Sequence, residues 1–311
     1  LDTNSANKNI SIFGLGYVGG TAALCLKKLG FDVFGVDIDP EKQKQFREKI
    51  WITDYKVALD NTEMSLICVP TPCQDNGNID ISYVETVCKQ INDYKPEQIV
   101  IIRSTVFPNQ IKKLESITKN LVINPEFLRE STAEYDFFNP PFIVVGSRNK
   151  EISEKVIGIY SGIVAKKYIT TPEEAQMLKY VCNVWHACKI AFTNEIGTIC
   201  DGYNIDGKRV MELFRQDKKL NISETYHRIG EPFGGHCLPK DLSVFMFNSD
   251  LAKNPLIHAI SDSNDIRIKP NMIADDCRCI DKIKCPSDNS IILSNGNRID
   301  IVDIKNNEEL K

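Results

Sequence analysis

The stretch that most constrains the fold is residues 8–39, "KNISIFGLGYVGGTAALCLKKLGFDVFGVDID". An apolar strand runs into a glycine turn, then a helix-periodic segment closed by Gly30, then a second strand. Strand, glycine turn, helix and strand within about 30 residues form the repeating unit of a parallel α/β sheet. The alternation continues through strands at 64–69, 98–104, 121–124, 142–146 and near 167–169. Helices are expected at 81–91, 109–119 and near 151–162. Residues 1–170 therefore read as one α/β domain built on a doubly wound parallel sheet of Rossmann type.

At Thr171 the pattern changes. Thr171 has the character of an N-cap, Pro172 fits the first helical position, and Glu174 completes a capping box. Helical spacing then persists to Cys200, with Asp201-Gly202 as the expected stop. Such a helix is about 45 Å long at about 1.5 Å per residue, and serves as a spine between lobes or subunits. Residues 171–265 are read as this central helix plus a small, mostly helical domain, with shorter helices at 206–219 and 240–252. Residues 266–311 form a C-terminal extension with a β-hairpin around Asn295-Gly296.

The chain has 311 residues and a net charge of −4, with 42% hydrophobic and 26% charged residues. That balance suits a globular protein and argues against nucleic acid or an anionic membrane surface as partner. No apolar run is long enough to span a bilayer. The polar start lacks a signal-peptide core and an initiator Met, and reads as a trimmed end of a cytoplasmic protein. Eleven scattered cysteines without a C-x-x-C pair read as reduced thiols. Cys277, Cys279 and Cys285 are the tightest group, but no four-ligand spacing accompanies them, and no metal is expected.

Gly14, Gly16 and Gly19 spell G-x-G-x-x-G between strand and helix, and Asp37 ends the next strand 23 positions after Gly14. The glycines permit a tight turn and close approach of a pyrophosphate to a helix N-terminus. A carboxylate at Asp37 accepts hydrogen bonds from a ribose diol and repels a 2′-phosphate, so NAD is favoured over NADP. Ligands of open α/β sheets sit at strand carboxyl ends, which points Thr71 of "CVPTP", and Ser104 and Thr105 of "RSTVFP", toward a cofactor cleft. In "NPEFLRE", Glu126 and Glu130 are expected to share one face of a helical turn. Lys179 and Asn183 share a face of the long helix, Asn194 continues the stripe, and a Lys–Asn pair facing a cleft suits an oxyanion. Met177, Val181, Val184 and Trp185 around them suggest partial burial. Finally, "EPFGGHCLPKDL" (231–242) sets Cys237 beside Gly234, Gly235, Lys240 and Asp241. A lysine near a thiol lowers its pKa, and an aspartate can handle a proton or a water. A tight turn around a buried cysteine is the plainer alternative.

Taken together, "GLGYVG", "CVPTP", "STVFP", "NPEFLRE", "LKYVCNVW…NEIG" and "FGGHCLPKD" resemble the nucleotide-sugar 6-dehydrogenases, the family of UDP-glucose and GDP-mannose dehydrogenases, from about residue 8 to about 265. "KLNIS" is most similar to the GDP-mannose branch, while "GGHC" resembles the UDP-N-acetylhexosamine branch. The resemblance implies four-electron oxidation of a sugar CH₂OH to a carboxylate by two hydride transfers to NAD. Cys237 is implied as the nucleophile that captures the aldehyde as a thiohemiacetal and carries the thioester. Lys179 and Asn183 match oxyanion-stabilising residues, Asp241 and Thr105 residues that position water, and Glu126 a residue at the thioester step. By the same resemblance Gly14, Gly16, Tyr17, Val18, Gly19, Asp37, Lys42, Val69, Pro70, Thr71, Ser104, Thr105, Glu130 and Lys240 line the cofactor. Glu126, Phe127, Leu128, Lys179, Asn183, Phe233, Gly234 and Gly235 line the nucleotide-sugar substrate. A homodimer through the central helix is implied as well.

The sequence departs from the family at Phe107 and Asn109, at Ser131, and at Phe142, where an arginine is usual. Members also carry a second Rossmann-like domain for the nucleotide, and no second glycine-turn unit follows residue 265. Two other readings stand beside this one. A single-step β-hydroxyacid-type dehydrogenase also combines a Rossmann domain with a Lys-x-x-x-Asn helix but needs no cysteine. A catalytically inactive NAD-binding paralogue is the other.

Overall fold

The computed structural model describes residues 8–74 and 78–223, and beyond them 232–233, 238–239, 242, 246, 248, 250–268, 290–292 and 298–300. Eight strands form one sheet: β1 (Asn9–Phe13), β2 (Asp32–Val36), β3 (Trp51–Ile52), β4 (Met64–Ile67), β5 (Ile99–Ile102), β6 (Leu121–Ile123), β7 (Phe142–Gly146) and β8 (Lys166–Thr170). Their order is β3-β2-β1-β4-β5-β6-β7-β8. Every neighbouring pair is parallel except β6 and β7. The chain therefore winds outward from β1 in both directions, and the strand order reverses between β1 and β4. That is the crevice where ligands of doubly wound sheets bind.

The period-2 alternation of the strands divides their side chains between two cores. Ile10, Ile12, Leu66 and Ile101 pack on one face with α1 (Tyr17–Lys28) and α7 (Lys150–Gly158). Phe13, Ile67, Val100 and Ile102 pack on the other with α4 (Ser82–Tyr94) and α5 (Ile111–Glu115). Burial on both faces explains the near-continuous apolar runs that marked these strands in the sequence.

Local chemistry sets the helix ends. Asp39 caps α2 (Pro40–Phe46), Asp54 caps α3 (Tyr55–Asp60), and Asn149 caps α7. In α8 (Pro172–Gly202) the expected capping box forms: Thr171 Oγ1 accepts from Glu174 N at 3.3 Å, and Glu174 Oε2 accepts from Thr171 N at 3.1 Å. The helix ends at Gly202 as expected, and the left-handed residue that follows the end is Asn204, at φ 55°. Ile205 N donates to Cys200 O and Asn204 N to Asp201 O, the two bonds of a Schellman end.

Other elements differ from the sequence-based expectation. The helix expected over 109–119 is a 3-10 turn, Pro108–Gln110, followed by the five-residue α5. The Ser116 hydroxyl donates to Lys113 O there, offering the backbone a local alternative to helix. Likewise α9 stops at Gly207–Phe214, because the Asp217 carboxylate takes Lys219 N and Leu220 N. Four helices, α2, α3, α6 (Ala133–Phe138) and α10 (Pro255–Ile268), arise where none was expected. Most of the helix expected at 240–252 lies outside the described residues. In the tail, Ser290–Ile292 (β9) and Arg298–Asp300 (β10) pair antiparallel as expected.

The chain divides into two compact units, Leu1–Val184 and Trp185–Lys311. The cut falls inside α8, whereas the sequence pattern changes at Thr171. The first turns of α8 belong to the sheet's core: Ala175 is fully buried, and a side chain at Gly146 would strike Thr171 O at 2.6 Å.

Candidate active site

Within the first unit two features meet at the carboxyl ends of the central strands. One is the turn after β1. Gly14 sits at φ 89°, and a Cβ there would lie 2.8 Å from Cys68 O. A Cβ at Gly19 would lie 1.9 Å from Gly14 O. Both glycines are thus demanded by the protein itself. Gly16 is different, because a Cβ there meets nothing within 4 Å. The N-terminus of α1 at Gly16 has no side-chain cap and no acidic residue in its first turn. Its amides and partial positive charge are left for an anion, so the turn fits the pyrophosphate of a dinucleotide. Asp37 closes the turn: its Oδ2 accepts from Leu15 N at 2.5 Å and its Oδ1 from Asp39 N at 2.8 Å. Lys42 is half-buried on the following helix.

The other feature is a charged pair. Lys179 Nζ, on α8, donates to Glu126 Oε1 at 2.7 Å, and both side chains are about nine-tenths buried (10% and 12% exposed). Glu126 Oε2 accepts from Leu128 N at 2.6 Å. The ammonium lies 5.7 Å from the centre of the Phe127 ring, whose edge-to-face partner at 5.0 Å is Phe142. Phe107, in the loop that carries Thr105, meets Tyr180 edge-to-face at 5.1 Å. The glycine turn reaches the same place. The Tyr17 phenol is pushed up by partial burial and by the carboxylates of Glu126, Glu130 and Asp136. Asp136 is itself held well below the carboxylate range by the Arg129 guanidinium, which it meets at 2.7 Å, and by Thr132.

Several expected placements are corrected. Glu126 and Glu130 do not share a helical turn. Residues 124–129 form no helix, and Asn124 precedes a proline, which steers it away from the helical region. Glu126 is turned inward, while Glu130 is exposed in a 3-10 turn. Ser104 follows β5. It is buried and donates to Val69 O at 2.7 Å, which ties "CVPTP" to the next strand. Thr71, Thr105, Val18, Val69, Phe127 and Leu128 are half-buried, and Tyr17 and Pro70 are exposed. Asn183 is exposed one turn beyond Lys179, and Asn194 is exposed too. The polar stripe is thus partly buried, at Lys179, while Met177, Val181, Val184 and Trp185 are themselves exposed and form an open apolar face of α8.

Cys237, Gly234, Gly235, Lys240 and Asp241 lie outside the described residues, as do Cys277, Cys279 and Cys285. Phe233 is described. In the second unit its backbone is held at both ends by Asn264 of α10: Phe233 N donates to Asn264 Oδ1 at 2.8 Å, and Asn264 Nδ2 donates to Phe233 O at 3.1 Å. Sequence reasoning missed Asn264. It also missed Glu195, which caps α10 through Leu256 N and Ile257 N. Among the described residues no group of acidic, His and Cys side chains could hold a metal ion, and no helix is long and apolar enough to cross a membrane.

A doubly wound sheet whose first strand feeds an uncapped glycine turn, with a carboxylate at the end of the second strand, is a dinucleotide-binding domain. Residues 8–52 and 50–164 match the NAD binding domain of the UDP-glucose/GDP-mannose dehydrogenase family, and residues 173–266 match its central domain. The chain is 36% identical to the GDP-mannose 6-dehydrogenase of Pseudomonas aeruginosa, over 84% of this chain and 69% of the relative. It is 31% identical to the UDP-glucose 6-dehydrogenase of Rickettsia bellii, over 86% and 68%. A solved ternary complex of GDP-mannose dehydrogenase from Pseudomonas aeruginosa superposes with a TM-score of 0.77 at 36% identity, covering 84% of this chain and 69% of that one. The chain belongs to the UDP-glucose/GDP-mannose dehydrogenase family, and its cofactor is NAD.

Proposed function

We propose that the chain is an NAD-dependent nucleotide-sugar 6-dehydrogenase, oxidising the C6 hydroxymethyl of a UDP- or GDP-linked sugar to the acid. The observation that carries this reading is the buried Lys179–Glu126 pair at the strand ends, beside the cofactor turn. Bound NAD supplies the electron acceptor for both oxidations. Lys179 Nζ, with Asn183 one turn on, donates to the oxygen that gains charge at C6. The Cys237 thiolate adds its sulfur to the aldehyde carbon, giving a thiohemiacetal, and oxidation of that adduct leaves a thioester. Water placed by Asp241 and Thr105 cleaves the thioester, releasing the acid and restoring the thiol. Glu126 holds Lys179 in place and acts at the thioester step. Tyr17, Val18, Lys42, Val69, Pro70, Thr71, Glu130 and Lys240 border the cofactor, and Phe127, Leu128, Phe233, Gly234 and Gly235 border the sugar.

A GDP-linked sugar is the first substrate to test, since the relative named for GDP-mannose is more similar than the one named for UDP-glucose. The open apolar face of α8 supports a homodimer, which sedimentation would measure, and the family supports a cytoplasmic role in polysaccharide biosynthesis. The deciding experiment follows NADH release over a panel of GDP- and UDP-sugars, with the product weighed by mass spectrometry. We expect about two NADH per sugar and a carboxylate product. One NADH with a stable carbonyl product would favour the single-step β-hydroxyacid type, and NAD binding without turnover would favour the inactive paralogue. Cys237 should be alkylated faster than the other thiols and be protected by substrate. If it reacts only after unfolding, it is a buried structural cysteine and covalent catalysis is excluded.

A further inference from the structure

Beneath the Lys179–Glu126 pair lies a buried charge to which nothing above assigns a role. Arg103 follows β5, is 6% exposed, and has no carboxylate in hydrogen-bond contact among the described residues. Its Nη1 donates to Asn124 Oδ1 at 2.7 Å and to the Tyr160 hydroxyl at 2.8 Å. The Tyr160 hydroxyl donates to the same Asn124 oxygen. On its other side Asn124 Nδ2 donates to Val144 O at 2.8 Å, and Asn124 N donates to Ile102 O at 3.0 Å. The amide of Asn124 is thus fixed by two donors and one acceptor, and its backbone is tied to β5. Two residues later the chain presents Glu126.

Arg103 and Glu126 also line one small cavity of about 40 Å³, partly open to solvent, with Asn124, Phe127, Phe142 and Tyr160. The Arg103 Nε has no hydrogen-bond partner among the described residues. A guanidinium in such surroundings is costly to bury unless its charge is answered. The acids around it are Tyr160, Cys68 and Glu126. Burial pushes the Cys68 thiol up to about 12 and the Tyr160 phenol up as well, so both stay neutral at ordinary pH. Glu126 is then the carboxylate that answers Arg103 as well as Lys179.

We propose that Arg103 is a positioning residue of the candidate active site: through Asn124 it fixes the Asn124–Pro125–Glu126 segment, and across the shared cavity its charge holds the Glu126 carboxylate in the orientation that engages Lys179. This rests on the function proposed above, so the test has one arm that needs turnover and one that does not. In the first, NADH release and NAD affinity are compared for the full chain, Arg103→Gln, Arg103→Lys and Tyr160→Phe. Arg103→Gln should lower kcat about tenfold with NAD affinity within about twofold of wild type. Arg103→Lys, which keeps the charge, should recover most of that loss. Equal impairment in the Gln and Lys variants would mean that packing alone matters and would overturn the proposal, as would wild-type kcat in Arg103→Gln. Should Arg103→Gln fail to fold, Tyr160→Phe decides: it removes one donor to Asn124 and one acceptor of Arg103 and should lower kcat by about threefold, and unchanged kcat overturns the proposal.

In the second arm, thermal melts of wild type, Arg103→Gln, Glu126→Gln and the double variant form a cycle; where the Gln variant does not fold, Arg103→Lys and Tyr160→Phe take its place against Glu126→Gln. The change at Arg103 or Tyr160 should cost about 2 °C less in the Glu126→Gln background, and strict additivity overturns the coupling. A wild type that releases no NADH with any nucleotide sugar defeats the proposed function and leaves the melts to decide Arg103.

Discussion

The glycine turn and the Lys179–Glu126 pair lie at the same edge of one sheet but are built in opposite ways. The turn is made of backbone. Its specificity comes from side chains that are missing, at Gly14 and Gly19 because the protein has no room for them, and at Gly16 because the space is open. The pair is made of charged side chains brought from two elements 53 residues apart. It is buried, oriented by Leu128 N, and backed by a network of further buried polar groups. A backbone cradle is fixed once the strand and helix are placed. A side-chain cluster needs every supporting element in position first.

This contrast separates binding from chemistry, and the strongest way to break it is at Lys179. Lys179→Ala should lower NADH release by about 10²–10³-fold while NAD titrates as in wild type. If NAD affinity falls in parallel, the pair and the turn are a single site. Next is Gly19→Ala. Its Cβ has no room against Gly14 O, so the variant should lose several degrees in a thermal melt and NAD binding with them. Gly16→Ala sharpens the comparison. It should melt within about 1 °C of wild type, yet bind NAD about tenfold more weakly, because its Cβ would occupy the ligand's space rather than the protein's. A Gly16→Ala variant with unchanged NAD affinity would show that the cofactor does not approach this turn closely.

Smaller effects follow at the rims of the two features. Asp37→Ser should narrow the preference for NAD over NADP by about tenfold in competition binding. A wild type that binds both equally would remove Asp37 as the discriminator. Asp136→Asn gives the smallest change, and one that depends on pH. The Arg129 guanidinium holds the folded Asp136 carboxyl low, so the contribution to stability is fully present above about pH 4. It is lost as pH falls from there through the depressed folded value. The melting-temperature gap between wild type and Asp136→Asn should therefore be constant near neutrality and shrink below about pH 4. A gap that grows on acidification would show that another group carries it.

Read from the amino-acid string alone, the α/β class, most strands of the sheet, the glycine turn with its capless helix, and the capping box at Thr171 are determined. Each is a local pattern: periodicity, a missing Cβ, or a cap within four residues. Lys179 and Glu126 were each legible as members of a motif, but nothing in the string pairs them. Tertiary structure also decided against local patterning at Glu126 and Glu130, where spacing implied a shared helical face and Glu126 instead turns in to Lys179 from a non-helical segment. It tied the Ser104 hydroxyl to the carbonyl of Val69, placed the left-handed residue after α8 at Asn204, and left the apolar stripe of α8 uncovered. Arg103, Asn124 and Tyr160 gave the least warning. A buried polar group is tolerated only where partners from other elements reach it, and which elements those are is settled by the order in which strands assemble, not by the residues on either side.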